Sequence, residues 1–122
     1  MSNTTGAVRL ELTEDEQKAV DAVVYQESVA AACEAASRLN NSAMLHVAAE
    51  QYNWDDGPAP MLIIADHPQC AWITWYTMYG LLDGDYWLAM DENTLTQYDE
   101  GTQSKELALL LQGKLNDSYS QS

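Results

Sequence analysis

Positive charge is what this chain has least of: five Lys and Arg stand against nineteen Asp and Glu in 122 residues, a formal net charge of -14. Such a surface repels nucleic acid and anionic lipid, and it steers a basic partner inward. Direct nucleic-acid and membrane binding are therefore not expected. Cysteine is also scarce. Cys33 and Cys70 can form at most one bridge, which excludes a disulfide-stapled scaffold and fits a reducing compartment, so a cytoplasmic location is expected. No apolar run approaches the roughly 20 residues of a membrane-spanning helix. Met1 to Leu12 has neither a basic start nor an apolar stretch, so no export leader is expected.

Catalytic and metal-binding patterns are thin as well. Neither a glycine-rich phosphate loop nor a nucleophile elbow surrounds Cys33, Cys70, His46 or His67. His67 and Cys70, with Asp66 or His46, have a spacing that suits zinc. A structural site needs four tetrahedral ligands, however, and Pro68 disturbs the geometry that would aim them together. His67 is better read as a hydrogen-bonding residue beside the proline, and Cys70 as a small buried apolar one. Asp83-Gly84-Asp85 fails the calcium-loop pattern, because Trp87 falls where the next oxygen ligand belongs. No enzyme activity, metal or cofactor is expected.

What is present is a chain that folds. With 47% hydrophobic residues, its acids sit on a globular sequence rather than a disordered tail. Val8, Leu10 and Leu12 alternate with Arg9 and Glu11, which suits a short extended arm over 1–12. Thr13 and Glu16 form a capping box, and Glu14, Asp15 and Glu16 favour a helix start. One long helix is expected from there to Leu39, with Val20, Val24, Ala31, Ala35 and Leu39 on its apolar stripe. Ser42 is read as the cap of a second helix reaching Tyr52. Asn53 to Pro60 concentrates turn residues, Met61 to Asp66 reads as a short buried helix, and Gln69 to Leu82 as the central one. Asp91 to Tyr98 suits a turn or two of helix. A last helix from Ser104 carries Leu107, Leu110, Leu111 and Leu115. The expected fold is mainly α: a compact single-domain bundle of about five helices over 13–116, followed by a flexible tail over 117–122.

A resemblance enters at the loop. Leu45-His46, Tyr52-Asn53-Trp54-Asp55-Asp56-Gly57, Pro60, Ile64, His67-Pro68, Cys70, Thr74 and Asp83-Gly84 together resemble a family of small bacterial proteins classed as a domain of unknown function. That family is associated with polymorphic-toxin and immunity neighbourhoods. The similarity spans Leu45 to Gly84, about a third of the chain, with two departures. Ala71 stands where the family pattern has an acidic residue after the cysteine, and the positions from Ile73 to Met78 are unusually aromatic. The resemblance implies a setting and no chemistry.

The acids fall in local clusters: Glu11 with Glu14 to Glu16, Asp55 with Asp56, Asp83 with Asp85, Asp91 with Glu92, and Asp99 with Glu100. A face that gathers Asp55, Asp56, Asp83, Asp85, Asp91 and Glu92 around the apolar anchors Trp54, Tyr86 and Trp87 would capture a basic protein. A plainer account has Trp54 packing inward, one Asp capping the next segment, Gly57 taking a backbone angle other residues avoid, and the acids serving solubility. Charge and resemblance together predict an immunity protein that neutralises a cognate polypeptide toxin by occluding its active site. The alternative is an acidic nucleic-acid mimic or adaptor binding several basic proteins. Either a monomer or a homodimer fits.

Overall fold

The computed structural model describes residues 11–121, with side chains as far as Ser118. Among these residues there are eight α-helices and no strand: α1 (Glu14–Val24), α2 (Val29–Ser37), α3 (Ser42–Gln51), α4 (Ala59–Ala65), α5 (Trp72–Leu82), α6 (Gly84–Leu88), α7 (Glu92–Leu95) and α8 (Gly101–Gln121), with a 3-10 turn at Trp54–Asp56. The mainly α class holds. Of the expected arm over 1–12, only Glu11 and Leu12 lie within the described residues, and Leu12 packs against the core.

The helix count rises above five partly because the first expected helix is two. Its start follows the capping box: Glu16 N–H donates to the Thr13 hydroxyl at 3.1 Å and Thr13 N–H to the Glu16 carboxylate at 2.9 Å. The break comes after Val24. Tyr25 closes the last turn on the Asp21 carbonyl, and Ser28 opens α2 by accepting from Ala31 N–H at 3.1 Å. β-Branched and aromatic residues before the break are weak helix formers, and Ser28 offers its own local cap. The break also shifts the apolar stripe. Val20 and Val23 are buried on α1, and Ala32 and Ala36 on α2, in place of Val24, Ala31 and Ala35. The small alanine face lets α4 lie close against α2.

The centre of the molecule is α3, not the segment from Gln69 to Leu82. Every residue from Ala43 to Ala49 is buried, and α1, α4 and α5 pack around it. Small and aliphatic side chains allow that enclosure on all sides, each fully buried Leu or Val contributing roughly 1.5–3 kcal/mol. Asn41, not Ser42, caps α3, accepting from Met44 N–H at 2.9 Å. The aromatic segment does form a helix, α5, but it sits at the perimeter. Thr74, Met78 and Leu82 face inward at four-residue spacing, while Trp72 and Tyr76 are exposed. Bulky rings with polar tips suit that half-wet position.

Two further boundaries differ. Tyr86 to Met90 reads in sequence as a short apolar piece, whereas the structure has a helical turn and a half over Gly84–Leu88. The last helix starts at Gly101 and runs through 117–121, expected as a tail, because no proline or glycine follows Gly113 to stop it. It packs on α4, α5 and α6. The 3-10 turn, α6 and the approach to α8 thereby meet at one corner.

Candidate partner-binding site

That corner is built from local rules. Asn53 opens the 3-10 turn by accepting from Asp55 N–H at 3.2 Å. Gly57 ends it at φ 106° and ψ 158°, a conformation essentially confined to glycine. The Glu100 carboxylate lies against the bare Gly57 Cα, where a Cβ would collide with it. Tyr52 anchors the turn from below, its hydroxyl donating to the Gly57 carbonyl at 2.6 Å. Burial, with the charges of Asp56, Cys33 and Glu100, pushes the Tyr52 phenol up to about 12.

Opposite the turn, Asp83 takes a left-handed conformation (φ 62°) that stops α5 and redirects the chain into α6. Aspartate tolerates this region better than most residues. The turn projects Tyr86 and Trp87 toward Tyr98, which precedes α8. The three rings meet edge to face, Tyr86 to Trp87 at 5.2 Å, Trp87 to Tyr98 at 5.4 Å and Tyr86 to Tyr98 at 6.4 Å between centroids. Tyr86 and Tyr98 share a hydrogen bond of 2.7 Å between hydroxyls, which raises the Tyr86 phenol above its ordinary range.

Between the two sides lies a cleft of about 210 Å³, lined by Trp54, Trp87, Tyr98, Asp99, Glu100 and Ser104 among others. Trp54 donates its indole N–H to the Ala49 carbonyl and Trp87 donates its own to that of Leu82, both at 3.0 Å. Both rings are thus fixed, with apolar surface left toward the cleft. No basic side chain lines it. Three of the four described Lys and Arg are engaged elsewhere: Arg38 pairs with Glu34, Lys114 with Asp66, and Lys105 donates to the Met90 carbonyl at 2.8 Å.

The residues expected to form the site are thus only partly gathered. Trp54 and Trp87 share the cleft, and Tyr86 backs it. Asp55 and Asp56 are exposed on the 3-10 turn, with the Asn53 amide donating to Asp56 at 3.5 Å. Asp83 ends α5 immediately after Leu82, which lines the cleft. Asp85 accepts from the Tyr79 hydroxyl at 2.7 Å; burial and this bond hold the Tyr79 phenol at about 12. Asp91 caps α7, accepting from Thr94 N–H at 2.8 Å, and that bond holds its carboxyl below the usual carboxylate range. Glu92 is exposed in the first turn of α7. Tyr98, Asp99 and Glu100 were not among the expected binding residues. Their signal was an aromatic beside two acids just before a helix, the same composition that marked Trp54-Asp55-Asp56.

Elsewhere the titratable groups serve the fold. His67 accepts from Gln69 N–H at Nδ1 (3.0 Å) and donates from Nε2 to the Leu39 carbonyl (2.7 Å), so both ring nitrogens are engaged. Burial pushes the Cys70 thiol up to about 12. Buried His46 meets Thr74 Oγ1 at 2.9 Å and Glu50 at 3.5 Å. Among the described residues no three His, Cys, Asp or Glu gather as a metal site, and no helix is long and apolar enough to cross a membrane.

No curated protein and no solved structure matches the chain. Residues 40–116, well over half of the chain and including both walls of the cleft, match the family described as Domain of unknown function (DUF4274), and the chain belongs to that family.

Proposed function

We propose that the protein is a non-enzymatic immunity protein, which acts in the cytoplasm by binding a cognate polypeptide toxin and covering its active site. The observation that carries this reading is the corner where Trp54, Trp87, Tyr86 and Tyr98 are set among carboxylates with no basic side chain lining the cleft. Fixed aromatic rings supply anchors that lose little entropy on binding, and a surface of net charge -14 steers a basic partner onto them. A toxin acting on a phosphate-bearing substrate fits best, since its cleft must be positive. A secretion-system effector delivered in bacterial competition is the partner class in view.

Co-expression with the product of the adjacent gene tests the proposal through cell survival and recovery of the pair as one complex. Charge reversal at Asp55 and Asp56 should slow association and weaken its salt dependence, while Trp87→Ala should speed dissociation. A harmless neighbour that forms no complex even at low salt overturns the reading. Capture of several unrelated basic proteins points instead to the acidic mimic or adaptor.

A further inference from the structure

We infer that the cleft between Trp54 and Trp87 is a receptor for one basic side chain, the guanidinium or alkylammonium of a partner's Arg or Lys. Its size sets the class of ligand. At about 210 Å³ it falls below the roughly 300–1,000 Å³ of pockets for drug-sized molecules, but accommodates the end of a single side chain. Its walls set the charge. The Trp54 and Trp87 indole N–H groups are spent on backbone carbonyls, so a ligand meets ring carbon and π surface rather than donors. Tryptophan is the best of the aromatic partners for a cation.

The polar groups point the same way. Asp99 and Glu100 line the opening, and Glu100 has no ion pair with any described residue. Ser104, only 7% exposed, also lines the cleft, and its hydroxyl meets no hydrogen-bond partner among the described residues. A buried hydroxyl without a partner is uncommon, and an N–H donor entering the cleft would satisfy it. Aromatic faces, free carboxylates and an unpaired acceptor together describe a site for a cation bearing N–H groups. The choice of a side chain, rather than a free organic cation, rests on the reading of this corner as a partner surface.

The test is a titration of the ¹⁵N-labelled full chain at moderate salt, read at the four tryptophan indole N–H signals. The probes are N-acetyl-arginine methylamide and N-acetyl-lysine methylamide, with N-acetyl-norleucine methylamide as neutral control and spermidine as a free polyamine. The expected result is saturable shifts at Trp54 and Trp87 with the two basic probes, and none at Trp72 or Trp75. Glu100→Gln and Trp87→Leu should each weaken binding about 2- to 30-fold, as expected from the worth of one cation–π or charged contact. Glu100 is exposed, so its variant keeps the test valid if Trp87→Leu does not fold. Equal shifts at all four indoles, equal shifts with the neutral probe, or no loss in Glu100→Gln would overturn the inference. Much tighter binding of spermidine than of either amino-acid probe would overturn the assignment to a side chain. Probe binding without any toxin complex would remove the immunity reading alone. A toxin complex indifferent to both substitutions would remove the side-chain receptor alone.

Discussion

Replacing Thr74 by valine should cost the protein about 2 kcal/mol, and the reasoning can be followed atom by atom. Thr74 is fully buried on α5, and its hydroxyl lies 2.9 Å from Nδ1 of His46, itself 5% exposed on α3. The Glu50 carboxylate, 3.5 Å from Nε2, favours the ring proton on that nitrogen and leaves Nδ1 to accept from Thr74. Valine keeps the shape of threonine and removes the donor. The net worth of the bond, about 0.5–1.5 kcal/mol, is lost, and the orphaned nitrogen adds a desolvation penalty of about 1–3 kcal/mol. The extra apolar carbon returns roughly 0.8 kcal/mol. Thr74→Ser is the control, since it keeps the hydroxyl and loses one buried methyl, worth about 1 kcal/mol. Urea unfolding followed by circular dichroism should therefore rank wild type above serine and serine above valine, with unchanged m values. In a His46→Phe background the valine penalty should shrink by about 1 kcal/mol or more, because the partner is already gone. A valine variant no less stable than the serine one, or an undiminished penalty in that background, would refute the hydrogen bond as the link between α3 and α5.

Gly57→Ala should destabilise by about 1–3 kcal/mol from backbone conformation alone, since φ 106° with ψ 158° is a region other residues avoid. Combining it with Glu100→Ala separates this cost from the collision with the Glu100 carboxylate; full rescue in thermal unfolding would show that collision, and not strain, was the cause. Alkaline pH should unfold the protein early. The Tyr52 phenol titrates near 12 when folded and near its ordinary 10 when unfolded, so between those values the unfolded chain releases a proton that the native one keeps. Stability is then fully present below pH 10 and falls as pH rises toward 12, starting lower still through the buried Cys70 thiol. Tyr52→Phe should flatten that slope while lowering stability at neutral pH through loss of the bond to Gly57; an unchanged slope would exclude Tyr52 as its source.

The helical class was legible because its signals are local. The Thr13–Glu16 capping box, the heptad-like leucines of α8 and the Asn-Asp-Gly-Pro loop each act within a few residues, and the structure uses them much as read. What depends on three dimensions was not legible. The split of the first helix turns on whether Ser28 caps or continues, a choice worth about 1 kcal/mol that tertiary packing settles. The centre lies elsewhere than hydrophobicity alone predicts, because hydrophobicity does not measure depth. The segment Trp72–Leu82 is far more apolar than Ser42–Gln51, yet the latter is enclosed, since alanines let neighbours approach from every side and tryptophans hold them apart.

For the site, the difficulty is that an acid cluster in sequence does not say which carboxylates remain for a partner. Asp91 spends itself on the Thr94 N–H, Asp85 on Tyr79 and Asp66 on Lys114, each in a bond that serves the fold. Asp66 meets Lys114 only through the fold, but the Asp91 bond is local and could be suspected from the sequence, because an Asp three residues before a polar turn residue is a cap before it is a ligand. Glu100 is the opposite case. Its place over Gly57 joins residues 43 positions apart and depends on α8 packing under α6, so no short-range rule could have distinguished it from Glu92. For the proposed partner, the carboxylates that count are those the fold leaves unpaired beside a fixed apolar wall. By that criterion the proposed contact surface draws on Asp99 and Glu100, beside Trp54 and Trp87, more than on Asp85 and Asp91, whose carboxylates are engaged.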